Sequence, residues 1–189
     1  MTPPPPAETT VWTIGHSTRP LGELLGLLAG WRIETIADVR RFPGSRKHPQ
    51  YGREALAASL AQHGIAYHWL PELGGRRRAA PDSPNTGWRS AAFRGYADYM
   101  ASAEFVAGLG RLVALAQASR TAVMCAEAVW WRCHRSLIAD ALCVRGIEVV
   151  HLLAPGKSTP HPMTAPARVV GGRLGYAADA EPPQARLLP

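Results

Sequence analysis

The sequence predicts an α/β domain: a mainly parallel, five-stranded sheet with helices on both faces, in three layers. Short apolar runs alternate with segments of helical spacing, the order that builds parallel sheets from strand–helix–strand units. The chain of 189 residues, 47% apolar, is long enough for one well-cored domain. Polar residues also gather just past each apolar run, as they do where parallel strands end along one edge.

Taken in order, Val11-Trp-Thr-Ile-Gly15 reads as the first strand and Leu21 to Leu28 as the first helix. Ile33 to Val39 is the second strand, and Arg53 to Gln62 a helix that Gly64 closes. Ile65 to Leu70 is the third strand, after which a loop rich in Gly, Arg, Pro and Asn leads to helical material from about Tyr96 to Ala118. Thr121-Ala-Val-Met124 is the fourth strand, Ser136 to Val144 a helix ending near Gly146, and Ile147-Glu-Val-Val-His-Leu-Leu153 the fifth strand. The opening Met-Thr-Pro-Pro-Pro-Pro lacks a basic segment followed by an apolar core, so residues 1–10 read as a disordered leader and not a signal peptide. From Ala154 onward Pro, Gly, Ala and Arg dominate, which leaves 11–155 as the domain and 156–189 as an irregular tail.

The formal net charge of +7 favours anionic partners, a small molecule or a nucleic acid. The densest run, Gly75-Arg-Arg-Arg78, reads as a solvated loop. No run approaches the roughly 20 apolar residues that span a bilayer, so no membrane partner is expected. Three cysteines, an odd number, fit a reducing, cytoplasmic setting better than a disulfide scaffold. Composition leaves the oligomeric state and any cofactor unknown.

The chemistry concentrates in Cys125-Ala-Glu-Ala-Val-Trp-Trp-Arg-Cys-His-Arg135, between the fourth strand and the helix after it. A thiol at a helix start beside cations becomes thiolate near neutral pH and attacks electrophiles. Cys133 is so placed, with Arg132, His134 and Arg135 as neighbours, and Cys125 faces the same point from the strand. Glu127 is a general acid or base if desolvation raises its pKa. Catalysis is therefore assigned to Cys125, Glu127, Cys133 and His134, and Cys143 is expected to be inert. The other strand ends supply substrate-binding candidates: His16 and Ser17; Asp38, Arg40 and Ser45; Gly74 and Gly75; and Arg94, Tyr96 and Arg135. Asp38 and Arg40, two apart, share a face and pair with each other or with Arg135. Gly74 and Gly75 suit a positive φ or a close approach to ligand, and the likeliest use of Ser17 is to cap the helix from Leu21.

Thr13-Ile-Gly-His-Ser17, Asp38-Val-Arg with Pro43 and Ser45, Leu73-Gly-Gly75, Phe93-Arg-Gly-Tyr-Ala-Asp-Tyr99 and Cys125-Ala-Glu with Cys133-His-Arg135 together resemble the bacterial and archaeal family called domain of unknown function 488, over roughly residues 11–155. That resemblance supports the choice of residues and implies no reaction. A weaker similarity links Val123-Met-Cys125, the Arg135 helix and Ile36-Ala-Asp-Val-Arg40 to rhodanese- and phosphatase-like domains. The loop departs from those, with six residues between Cys125 and Arg132, Glu127 and Trp130-Trp131 among them.

Two further readings come from the same residues. Cys125, Cys133 and His134, with His16 or Glu127, form a ligand set acceptable to zinc, although seven residues between the cysteines match no common zinc spacing. No residue is assigned to a metal. Arginines 40, 41, 76, 77, 78, 89 and 94, with Trp12, Trp69, Trp88, Trp130 and Trp131 as stacking surfaces, form the nucleic-acid reading. The function expected is a small intracellular enzyme acting on an anionic, nucleotide-like substrate; a metal- or nucleic-acid-binding module without catalysis is the alternative.

Overall fold

The computed structural model of the chain describes residues 9–44 and 46–178, so most of the leader, Ser45 and residues 179–189 lie outside the described residues. The elements run β1 (Thr10–Gly15), α1 (Leu21–Gly30), β2 (Thr35–Asp38), α2 (Arg53–Gln62), β3 (Ala66–Trp69), α3 (Ala91–Tyr99), α4 (Ala103–Ala118), β4 (Thr121–Cys125), α5 (Arg135–Cys143), β5 (Glu148–Ala154), β6 (Lys157–Pro160), β7 (Arg168–Val170) and β8 (Arg173–Gly175). The main sheet has six strands in the order β3-β2-β4-β1-β5-β6. β1 to β5 pair in parallel, and β6 folds back antiparallel on β5.

This order explains where the helices go. The chain steps outward from β1 to β2 to β3, then returns to place β4 between β2 and β1 and β5 beyond β1. Right-handed crossovers in opposite directions put their helices on opposite faces. Side chains alternate accordingly along the buried strands. Trp12, Ile14, Ile36, Ala122 and Met124 pack with Leu24, Leu27 and Leu28 of α1 and Leu56 and Leu60 of α2. Val11, Ala37, Val123 and Val149 pack with Phe105, Leu109 and Leu112 of α4 and Leu137, Ile138 and Ala141 of α5. Where connections from adjacent strands leave to opposite faces, their carboxyl ends frame a crevice. Here β4 meets that condition against both β1 and β2.

The differences from expectation have local causes. The sheet has a sixth strand, and β6 to β8 occupy part of the segment expected to be irregular. Lys-Ser-Thr-Pro carries no apolar alternation because it is an edge strand, with burial almost wholly on the β5 side of the pair. The helical stretch after Ser90 is two helices, bent by 81°. Ser102 leaves the helical conformation and its Oγ accepts from Phe105 N at 3.2 Å, which starts α4 afresh. Ser17 does not cap α1; Pro20 holds that position, with no side-chain cap bond. Among the described residues no single helix is long and apolar enough to cross a membrane.

Candidate functional site

The ends of β1 and β4 are in register, Gly15 beside Cys125, and the pairing continues past them: His16 N donates to Cys125 O (3.0 Å) and Ser17 N to Ala126 O (2.9 Å). Ser17 takes φ 49° to follow this path. The loop 126–134 therefore starts pressed against the end of β1, and only glycine permits it. A Cβ on Gly15 would stand 1.9 Å from Glu127 O and 2.9 Å from Arg135 NH2. Arg135, 2% exposed, locks the loop from beneath by donating to Glu127 O at 2.5 Å.

The same guanidinium gives its Nε–H to Cys133 Sγ at 3.3 Å. His134 Nδ1 stands 3.7 Å from that sulfur, and its Nε2 faces Val39 O at 3.3 Å. A carbonyl only accepts, so Nε2 carries a proton and Nδ1 is the nitrogen turned to the thiol. Gly75 makes this orientation possible, since a Cβ there would lie 2.8 Å from His134 Nδ1. Burial disfavours a charge on Cys133, but the hydrogen bond from Cys125, the His134 imidazole and Arg135 outweigh it and hold the thiol well below its usual range. Cys125 moves the other way: its hydrogen bond to Cys133 and its burial push it up. The two thiols are thus shifted in opposite directions, Cys133 down and Cys125 up. Cys143, on the last turn of α5, is pushed up by burial and by Asp140.

Both cysteines line a cleft of about 350 Å³. Arg40, Arg41, Arg76 and Arg132 line it, with Phe42, Phe93 and Tyr96 as apolar wall and Glu127 as its acid. Phe42 is 65% exposed at the mouth, with the Arg41 guanidinium 5.5 Å from its ring. Tyr96 is buried, donates to Leu73 O at 2.7 Å and sets its ring 5.0 Å from that of His134. Glu127 is exposed and its Oε1 accepts from Ala128 N (3.1 Å).

The structure brings Cys125, Glu127, Cys133, His134, Arg40, Gly75 and Tyr96 to this cleft, with Arg135 directly beneath Cys133. His16, Ser17, Asp38, Gly74 and Arg94 are not among its lining residues. Asp38 is fully buried and pairs with Arg40 at 2.6 Å while accepting from Tyr67 OH. Arg40 also donates to Tyr51 O and His16 Nε2. His16 stacks on Tyr51 at 4.0 Å, and burial lowers its pKa to about 4. Gly74 takes an extended φ of −71° and lets Arg41 approach, so its role and that of Gly75 is close contact with side chains, not positive φ. Arg94 lies one helical turn from Asp98 and helps keep that carboxyl low, after the hydrogen bonds from Ser83, Ala80 and Asn85. Ser45 lies outside the described residues. Phe42 and Phe93, the latter quoted only as part of the Phe93–Tyr99 motif, were not among the site candidates, because the sequence has no signal for apolar residues on a cleft wall. Of the tryptophans, Trp131 alone is exposed, at 56%.

A second polar cluster lies on the far side of the loop. Thr13 Oγ1 meets His151 Nδ1 (2.7 Å), His151 Nε2 meets His161 Nδ1 (2.9 Å), and His161 Nε2 meets Asp140 Oδ1 (2.9 Å). Asp140 also accepts from Thr164 N, Thr164 Oγ1 and Tyr176 OH. Trp130 stacks on His151 at 4.3 Å, so this cluster supports the loop that carries Cys133.

Among known proteins, no curated protein and no solved structure matches the chain. A family match covers residues 20–142, more than half of the chain, and includes Asp38, Arg40, Gly75, Tyr96 and the whole of the Cys125–Arg135 loop. By that match the chain belongs to the family described as Domain of unknown function DUF488.

Proposed function

We propose that the cleft is the catalytic site of a small cytoplasmic enzyme in which the Cys133 thiolate attacks an electrophilic centre on a compact anionic substrate. The observation that carries this reading is the convergence on Cys133 Sγ of Arg135 Nε, the His134 ring and the Cys125 thiol, at the start of α5 and at the floor of a cleft. Those groups supply the donors and positive charge that keep a nucleophilic thiol ionised at neutral pH. Arg41, Arg76 and Arg132 complement a negative substrate, and Phe42 and Phe93 offer apolar wall to a flat ring, so a nucleotide fits the chemistry of the lining. His134 Nδ1 exchanges a proton at the sulfur, and Glu127 at the mouth takes one from water or gives one to the leaving group.

A second reading rests on one observation: the ligand atoms of Cys125, Cys133 and His134 lie within 4.8 Å of one another, and His134 is oriented through its other nitrogen as metal-bound imidazoles are. The charge balance favours the first reading. One thiolate already faces one buried guanidinium, and a dication would sit beside Arg135.

Site-resolved alkylation at neutral pH, with iodoacetate and with iodoacetamide, tests both. The nucleophile reading expects Cys133 to label at least ~100-fold faster than Cys143, with the anionic reagent favoured over its rate with free cysteine. Labelling that requires a chelator supports the metal reading, and a Cys133 inert in the folded protein under both conditions overturns the proposal.

A further inference from the structure

We infer that Cys125 is the resolving thiol of Cys133, so that a hydroperoxide closes the pair into a disulfide that switches the site off. The inference rests on the reading of Cys133 as the thiolate of the cleft. It draws on the arrangement of the two sulfurs, which nucleophilic catalysis by Cys133 does not itself require.

The two sulfurs are close neighbours: they lie within 4.8 Å of each other, and both cysteines line the same cleft. Cys125 is anchored at the end of β4, where its carbonyl accepts from His16 N at 3.0 Å. Cys133 closes the turn Trp130–Arg132, its N–H donating to Trp130 O at 3.1 Å. A bridge would therefore join a fixed strand end to the loop just before α5. Cys143 belongs to the other end of α5 and takes no part.

The chemistry is ordered by the charges. The Cys133 thiolate attacks the terminal oxygen of the hydroperoxide, the O–O bond breaks, and the departing alkoxide or hydroxide takes a proton, leaving Cys133 as a sulfenic acid. Negative charge on Cys133 is one of the causes that hold Cys125 protonated. Once Cys133 is neutral that cause disappears, while Arg135 continues to favour a Cys125 thiolate. Cys125 then gives up its proton and attacks the Cys133 sulfur; the S–O bond breaks and water leaves with that proton. In sum two thiols are oxidised by two electrons, and one hydroperoxide becomes one alcohol and one water. In the bridge Cys133 has no charge to hold Arg135 Nε or His134 Nδ1 and is no longer a thiolate able to attack substrate, so the site is disarmed until a dithiol reduces it.

The test uses the full chain and hydrogen peroxide near equimolar concentration, followed by peptide mapping under non-reducing conditions. The expected result is a Cys125–Cys133 bridge with Cys143 free, loss of Cys133 alkylation, and recovery with a dithiol reductant. Cys125→Ser should stop at a Cys133 sulfenic acid trapped by dimedone, and Cys133→Ser should lose reaction at the pair by at least ~100-fold. The inference is overturned if wild-type Cys133 alkylates as a thiolate yet accumulates sulfenic or sulfinic acid without a bridge; the catalytic reading then survives. If Cys133 neither alkylates nor oxidises, both fail.

Discussion

The Cys125–Cys133 cleft and the Asp140–His161–His151 cluster sit on either side of one loop and are made of similar residue types, yet they differ in how their valences are used. Asp140 accepts from four donors, both histidines bond through both nitrogens, and Trp130 covers His151. None of Asp140, His151 and His161 lines the cleft. At the cleft the same kind of buried bonding ends differently: Arg135 and His134 direct their bonds at a sulfur whose residue lines the cleft. Convergence of polar groups alone does not mark a reactive site, since a closed network converges equally well. The mark is a nucleophilic atom whose partners lie beneath it.

The largest expected effect falls on the closed side. Asp140→Ala leaves His161, Thr164 and Tyr176 without a buried acceptor and should cost on the order of 4 kcal/mol in urea unfolding. Cys133→Ser should cost less, about 1–2 kcal/mol, because the serine hydroxyl can still accept from the buried Arg135 Nε. Equal losses from the two would erase the distinction.

Acid is expected to act next most strongly, again through closed networks. Burial holds the pKa of His151 at about 3, with His161 and Arg135 adding to it, and burial holds that of His16 at about 4, both below the ordinary imidazole value of about 6.5. The unfolded chain therefore binds more protons in the window below pH 6.5, so stability is full above that value and falls as pH drops toward 4 and then 3. Each histidine should cost roughly 2–3 kcal/mol by about pH 4.5, read as the urea midpoint against pH, and His16→Gln should flatten part of the fall. A midpoint unchanged over this window would mean that neither imidazole is held neutral.

Gly75→Ala should displace His134 from Cys133, because the new Cβ meets Nδ1 at 2.8 Å. We expect a stability loss of about 1–2 kcal/mol and a Cys133 alkylation rate reduced about tenfold at neutral pH, with little change at alkaline pH where the thiol ionises unaided. The smallest effect belongs to Cys125→Ser. A hydroxyl still donates to Cys133, so its alkylation should change only by a factor of about three, with the profile kept below that of Cys143.

The same contrast separates what the sequence revealed from what it concealed. The central strands β1, β2 and β4 were legible because strands buried on both faces read as short continuous apolar runs, as Thr121-Ala-Val-Met-Cys125 does. The edge strand β6 was not, because Lys-Ser-Thr-Pro is polar and its pairing depends on β5. The break at Ser102 hid among helix-compatible neighbours, and only the bond to Phe105 N shows it to be a cap. The heart of the cleft was legible because Cys125, Glu127, Cys133, His134 and Arg135 fall within eleven consecutive residues. What orients them was not, since Val39 O, Gly75 and Gly15 reach the site from distant segments. His16 shows the reverse error of local reading: it ends a strand beside the site, but Arg40 and Ser17 occupy both its nitrogens.

The central claim is that Cys133 is a thiolate at neutral pH. An ultraviolet titration of thiolate absorbance in the folded wild-type protein, with Cys133→Ser as its reference, tests it most directly. The account predicts one thiolate already present at about pH 6 that is retained in Cys125→Ser and absent from Cys133→Ser. Wild type and Cys133→Ser titrating together, with no thiolate until about pH 8 or above, would contradict it.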